Sequence, residues 1–276
     1  MEVNLSAEKS SPVAPVEVKH VTYPVGVTDN PGNVGVPATR EKENFVSGDD
    51  LPGFFDIKFP RLNIVQNIGK LQESFSPGEL VFGQNTVLFT PAKVDPKTGK
   101  AVQKSTGPIN LTVLGIVSKR FSEKIKGGIG GQIVNSEAEV VASGGTMNYK
   151  EWQLKEKDGM KLFENLIDFL IVIRRPEVVA DDDTVFSFDV DGNKYALGLW
   201  SVKGSSYTAA YKEVLAFHRM AGVLKGGYPT HNFNTSCRIK TFQTGNKAWV
   251  PALVPGTKNT PAFLDFVRQI LNPSAE

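Results

Sequence analysis

Residues 184–204 read TVFSFDVDGNKYALGLWSVKG, and this stretch carries the clearest structural signal in the chain. Polar and apolar residues alternate on both sides of Asp191-Gly192, a pattern typical of a tight β-hairpin. The next segment, 205–222, reads SSYTAAYKEVLAFHRMAG and places apolar residues along one helical face, with Ser205 or Ser206 as its N-cap. The centre of the chain therefore predicts an antiparallel hairpin followed by a medium helix.

Further strand and helix signals extend on both sides of this centre. Strands are predicted at 85–92, at 109–121 with a bend or bulge at Gly115, at 167–176 and in a hairpin over 238–254; short helices are predicted over part of 158–166 and at 260–271. Strands with a few helices added indicate a mainly β or α+β fold. We expect an OB-like antiparallel β-barrel with insertions, one medium helix and a C-terminal helix, or else an α+β sheet domain.

Composition divides the chain at about residue 50. Residues 1–50 have few aromatic residues and no lasting periodicity, which predicts a disordered acidic N-terminal arm. They hold four of the 31 basic and eight of the 29 acidic residues, so the remainder holds 27 and 21. We expect 51–276 to form a single, mildly basic domain, whose charge permits a polyanion partner, with a mobile Gly-rich insertion around 122–150.

The cellular setting is predicted from what the sequence contains. Cys237 is the single cysteine, so no internal disulfide is possible and a reducing compartment is expected. No leader pattern and no run of about 18 apolar residues occurs. We expect a soluble protein in the cytoplasm, and no membrane partner.

Signatures of catalysis and of cofactor binding are weak. No zinc-ligand spacing, nucleophile elbow or phosphate loop is present, and GGIGG at 127–131 lacks the context of a dinucleotide loop. His218 lies on the apolar side of the predicted medium helix, which indicates packing. We therefore expect no enzyme, no cofactor and no metal site, while a nuclease using Asp181–Asp183 with Asp189 stays as a minor alternative.

Cations interleaved with aromatic residues recur on several predicted strands. Aromatic faces stack on unpaired bases for about 1–3 kcal/mol each, while Lys and Arg bind phosphates in a salt-dependent way. We expect Ile239 and Val250 to pack inward while the cations of their hairpin face a ligand. The candidate nucleic-acid-binding residues are Arg61, Lys119, Arg120, Phe121, Arg174, Arg175, Tyr195, Trp200, Arg238, Lys240, Phe242, Lys247 and Trp249.

A second interpretation explains the same pattern without nucleic acid. Strands of soluble proteins commonly alternate an apolar inner face with a charged outer face. On this interpretation the chain is a structural β-rich virion or assembly protein, and its hairpins make protein contacts.

Two short motifs resemble a known family. FPRLNIVQNIGKL at 59–71 followed by SPGELVFG at 76–83, together with a Tyr-rich helix after a Trp-bearing hairpin and then GNKAWVPALV at 245–254, resembles phage and mobile-element single-stranded DNA-binding proteins of the OB-fold kind. The resemblance covers roughly 55–92 and 167–254. It implies a protein that coats single strands during replication or recombination, with Arg61, Lys247 and Trp249 at the matching positions.

The resemblance also implies the partners. We expect single-stranded DNA as the ligand, with RNA, replication or recombination proteins and a homo-oligomer left open. If a phage encodes the protein, the cytoplasm is that of its host cell. An acidic C-terminal tail, frequent in such proteins, is replaced here by NPSAE, and the acidic excess lies in residues 1–50 instead.

Overall fold

The structure is a computed structural model that describes residues 58–95, 97–98, 100–125, 131–220, 227–243 and 245–272. The predicted N-terminal arm and part of the Gly-rich stretch lie outside these described residues. All described residues belong to one compact unit, which is defined by its internal contacts and covers Glu43–Glu276.

Strands dominate the described chain. In chain order they are β1 Leu62–Ile64, β2 Leu80–Phe82, β3 Thr86–Phe89, β4 Lys93–Val94, β5 Ala101–Gln103, β6 Ile109–Glu123, β7 Ile133–Val134, β8 Gly145–Thr146, β9 Lys161–Arg174, β10 Phe188–Val190, β11 Asn193–Lys203, β12 His231–Thr241 and β13 Lys247–Lys258. The α-helices are α1 Glu137–Ala142, α2 Tyr149–Lys155, α3 Gly204–Met220 and α4 Pro261–Leu271. The mainly β class with a few helices is confirmed.

One antiparallel sheet organises the fold, with strand order β10-β11-β9-β6-β12-β13. Its centre is the long pair β6 and β9, whose register shifts between Val113 and Gly115, so the predicted irregularity at Gly115 is confirmed. At the far edge, β13 carries Pro251 and Pro255. Proline cannot donate to a ladder, which suits it to an edge strand and discourages pairing with a further strand.

The predicted central hairpin is confirmed as β10 and β11. Its turn residues Asp191 and Gly192 both have positive φ, 51° and 70°. Positive φ at both central positions is the geometry of a type I′ turn, which matches the twist of the strands it joins. This is why Asp-Gly at this place fixes the register of the hairpin.

Both faces of the sheet are covered by a helix. The inner face, represented by Phe169 and Trp200, packs with α3 through Ala210 and Val214 in the main core. Leu170 and its outer-face neighbours pack instead against α4. Both predicted helices are thus confirmed, although α3 begins at Gly204, before the expected serine N-cap.

A small sheet, β1-β2-β3, lies between two parts of the large one. Arg61 forms an isolated parallel bridge with Leu199 of β11. Just beyond β1, the Gln66 side chain donates through Nε2 to the Trp249 carbonyl oxygen at 2.8 Å and accepts from the Trp249 amide at 3.1 Å. The β1 region therefore joins β11 to β13, but among the described residues no continuous pairing closes a barrel, and the OB-like barrel stays a prediction.

The Gly-rich region contains more structure than its sequence indicates. Residues 131–160, called the insertion below, form β7, α1, β8 and α2, and a small core of Val134, Val140 and Phe163 supports them. The helix predicted over part of 158–166 is wrong, because Gly159 at φ 84° ends a helical turn and β9 begins at Lys161. None of the helices in the described part is long and apolar enough to cross a membrane.

Candidate nucleic-acid interface

Arg61 and Arg120 meet at a buried carboxylate on the outer face of the sheet. Asp168 on β9 forms an ion pair with Arg120 and accepts hydrogen bonds from Ser118 and Ser201, and Arg61 Nη1 donates to Ser201 Oγ at 2.8 Å. Burial alone would raise the pKa of Asp168, but the two serine hydrogen bonds and the charge of Arg120 bring it below its ordinary value. Asp168 is therefore ionised at neutral pH.

This cluster changes what its two arginines can do. The charge of Arg120 is compensated by a carboxylate that is 4% exposed, so Arg120 is a structural partner of Asp168. The Arg61 side chain remains about half exposed and lies 4.0 Å from the same carboxylate. Of the two, only Arg61 keeps a guanidinium that a phosphate can reach.

The second pair of predicted arginines separates. Arg175 donates through Nη1 to the Val179 carbonyl oxygen at 2.6 Å and pairs with Asp181, so it holds the loop after β9. Arg174 is exposed and lies opposite Tyr195 in the ladder.

Tyr195 is a packing residue in this fold. Its ring lies 5.1 Å from that of Phe263 and 6.3 Å from that of Phe266, both on α4. Burial raises the pKa of Tyr195, with a smaller opposing effect of Arg174 and a reinforcing one of Asp191. A ring held between β11 and α4 offers little free face to a base.

The acidic loop before β10 does not form a metal centre. Asp181 pairs with Arg175, while Asp183 accepts from the Thr86 hydroxyl at 3.1 Å and from the Val185 amide at 2.9 Å. Across the residues that the structure describes, no group of three or more His, Cys, Asp or Glu side chains could hold a metal ion.

Two predicted aromatic residues belong to cores. Trp200 is fully buried on the inner face, with its ring 6.1 Å from that of Phe169. Phe121 packs against the small core of the insertion. Neither ring is available for stacking, so both are removed from the interface.

Lys119 is exposed, but its ladder partner is Ile167 in the middle of β9, and it joins none of the other candidates.

The terminal hairpin, β12 and β13, has two chemically different faces. Residues directly opposite each other in a ladder point to the same side. Trp249 is opposite Ile239 and Lys247 is opposite Thr241, which places Lys247 and Trp249 together on one face. Arg238 is opposite Val250 on the other face.

Lys240 lies on that second face with Arg238, and its Nζ is 5.4 Å from the centre of the Phe242 ring. The expected inward packing of Val250 is confirmed, since its side chain is fully buried. For Ile239 the expectation is wrong: its side chain is about half exposed, because the hairpin extends past the core there. The five candidate residues of this hairpin therefore lie on two different faces.

The first face borders a groove of about 280 Å³, called the Trp249 groove here. Its walls are Pro77, Pro91, Lys93, Ile239, Lys247 and Trp249. The Trp249 ring lies against Gly78, where a Cβ atom would come within 2.8 Å of three ring carbons. Together with the two Gln66 hydrogen bonds, this contact fixes the half-buried indole at the groove wall.

Positive charge is concentrated around this hairpin. Between Glu213 and Asp265 the sequence has no acidic residue, whereas it has Arg219, Lys225, Arg238, Lys240, Lys247 and Lys258. Within the described residues, the ion pairs found do not include any cation of the hairpin. Glu213 of α3 lines a concavity together with Arg238, Ile239 and Lys240.

Two features of the site were missed by sequence reasoning. The acid-free stretch is visible in the sequence and could have marked the hairpin. Lys93 could not have been found in this way, because it reaches the groove from the distant β4, where its Nζ donates to Ser76 Oγ at 3.0 Å. Comparisons of the chain with protein-family models, with curated proteins and with solved structures find no match.

Proposed function

We propose that this protein binds single-stranded DNA without strong sequence preference, through the Trp249 groove, in the replication or recombination of a phage or mobile element. The observation that carries the proposal is a fixed, half-buried indole that lines a groove together with two exposed lysines, Lys93 and Lys247. Trp249 and Lys247 belong to the acid-free stretch 214–264. An indole face stacks on any base, and flanking ammonium groups bind the phosphates on either side.

The shape of the groove suits an unpaired strand. Pro77, Pro91 and Ile239 give it an apolar floor and wall, so a base leaving water would bury apolar surface beside the stacking contact. Duplex DNA hides its base faces in the stack and could use only the lysines. The proposal therefore predicts a preference for single strands.

An OB-like barrel is part of this proposal. It is supported by the β1 region, which contacts β11 at Leu199 and β13 at Trp249. Arg61 lies at the β11 end of this connection and adds an exposed guanidinium for a phosphate. We assign no catalytic step to the protein.

The test is a fluorescence-anisotropy titration of labelled oligo-dT with the full chain at several salt concentrations, with duplex DNA and oligo-U as comparisons. We expect tight, salt-weakened binding of the single strand together with quenching of tryptophan fluorescence. The oligo-U titration shows whether RNA is also a ligand.

Two variants locate the site. Trp249→Ala should weaken binding by about 1–3 kcal/mol. Lys247→Ala should lower the steepness of the plot of log binding constant against log salt concentration by about 0.7. The matched control is Lys157→Ala, an equally solvent-exposed lysine on the insertion. Absence of binding at low salt, or binding unaffected by Trp249→Ala, would overturn the proposal and favour the structural or assembly protein.

A further inference from the structure

The insertion exposes several large apolar side chains. Val141 on α1 is 72% exposed and Leu154 on α2 is 83% exposed, and Tyr149 is also exposed. Val141 borders a groove of about 480 Å³ whose floor includes Met147 and Met160. Exposed apolar groups around a groove with a polar rim are typical of a protein-protein contact.

The rim of this groove is acidic. Glu137 and Glu151 line it, and no lysine or arginine does. Glu151 is already paired with Lys155, whereas Glu137 has no ion pair among the described residues. Over residues 131–160 there are five acidic and three basic residues. A partner for this surface, called the insertion face, must therefore offer cations beside apolar groups.

Such a partner surface is present on the same protein. The second face of the terminal hairpin, called the arginine face, carries Arg238, Lys240 and Phe242, and further along β13 the exposed Val254. It lies away from the Trp249 groove, so its use does not depend on nucleic-acid binding.

Strand register places the two surfaces at opposite ends of the sheet. Thr235 of β12 lies opposite Ile109, the first residue of β6, and β12 then continues past that end to Arg238. The insertion is attached at the other end, where Phe121 of β6 pairs with Val134. The thirteen residues from 109 to 121 span roughly 40 Å along an extended strand. One copy cannot bring its own two surfaces together without unfolding the sheet.

We propose that the insertion face of one copy binds the arginine face of a second copy, so that the protein associates head to tail. The two surfaces are different patches, so the contact is heterologous and leaves a free surface at each end. Such a contact builds a growing chain of copies. In it, Glu137 lies near Lys240 of the next copy, and Val141 is buried.

The test is sedimentation velocity of the full chain over a range of concentrations, at low and high salt and without nucleic acid. We expect a weight-average mass that rises continuously with concentration and falls with salt. A single monomeric species at every concentration, or a plateau at the dimer, would overturn the proposal.

A matched pair of variants tests the apolar contact. Val141→Glu should abolish assembly, whereas Val102→Glu on β5, also 72% exposed, should leave it unchanged. Equal losses in the two variants would contradict the proposed surface.

Charge reversal gives a test that misfolding cannot imitate. Glu137→Lys and Lys240→Glu should each weaken self-association by at least about tenfold, because each variant opposes like charges at its own contact. When the two variants are mixed, every contact between unlike copies again joins opposite charges, so assembly should return. Failure of the mixture to assemble overturns the proposal, while the oligo-dT titration tests the Trp249 groove independently.

Discussion

Acidification should destabilise this protein through His218. The imidazole is 4% exposed and its Nε2 has no hydrogen-bond partner in the described part of the chain. Its ring lies 4.4 Å from that of Tyr228 and 5.8 Å from that of Phe217. Burial lowers the pKa of His218 from 6.5 to about 4, and the nearby charge of His231 adds to this shift.

The size of this destabilisation follows from the difference in the pKa of His218 between the folded and the unfolded chain. In the unfolded chain His218 takes up a proton below pH 6.5, whereas in the folded chain it does so only near pH 4. The unfolded state therefore binds more protons in this window, and the free energy of unfolding falls as the pH falls. A shift of this size corresponds to a loss of about 3 kcal/mol by pH 4, with little further loss from this group below that pH.

The assay is urea unfolding at a series of pH values between 7 and 4, followed by circular dichroism. His218→Phe keeps an aromatic ring beside Phe217 and Tyr228 and removes the titration, so its free energy of unfolding should fall by about 3 kcal/mol less than that of the wild type. His231→Gln is the control, because His231 is only half-buried and should contribute less. Equal pH dependence in the wild type and His218→Phe would refute the reasoning. Asp168 does not interfere, because its pKa is lowered from 3.8 and its stabilisation is lost only below that value.

Three further predictions concern the site and its support. Gly78→Ala should lower the free energy of unfolding by about 1–3 kcal/mol or more and shift the tryptophan emission, because it places a methyl group against the Trp249 ring. The control in the same urea titration is Gly69→Ala, since Gly69 also has a positive φ but a Cβ atom there would have no neighbouring atom within 4 Å. Arg120→Ala should lower the free energy of unfolding by about 1–3 kcal/mol, because it leaves the buried Asp168 short of a partner. It should not change the slope of the log binding constant for oligo-dT against log salt concentration. A lower slope would show that Arg120 contacts phosphate. Thr260→Ala should cost about 1 kcal/mol in thermal unfolding, because the Thr260 hydroxyl accepts the Phe263 amide at the start of α4; an unchanged melting temperature would contradict this cap.

Local signals explain the part of the fold that sequence could predict. The Asp191-Gly192 turn acts within a few residues, and the apolar periodicity of α3 and α4 is contained in each segment. The insertion was harder to predict because its core depends on Phe163 of β9, which follows it in the chain. Contacts between distant segments have no local sequence signature.

The arrangement of the candidate residues on the terminal hairpin could be predicted only in part. Alternation shows that Arg238 and Lys240 share a face, and that Lys247 and Trp249 share one. Whether the two pairs share the same face depends on the register of β12 against β13. A shift of one residue would move every side chain of one strand to the other face relative to its partner strand. Thr241 lies opposite Lys247, and this pairing places the two sets on opposite sides.

The cations differ in whether a carboxylate of the fold compensates their charge. Arg120 and Arg175 are each compensated by a carboxylate within the fold, Asp168 and Asp181, so they have a structural reason to be there. Within the described residues no ion pair includes a cation of the hairpin, although Glu213 lines a concavity with Arg238 and Lys240. Like charges brought close together repel one another. A surface of this kind is stabilised when an external anion replaces water and counterions around it. We propose that a nucleic acid binds the Trp249 groove, which combines this charge with a ring for bases, and that an acidic protein surface binds the arginine face, which combines it with apolar groups.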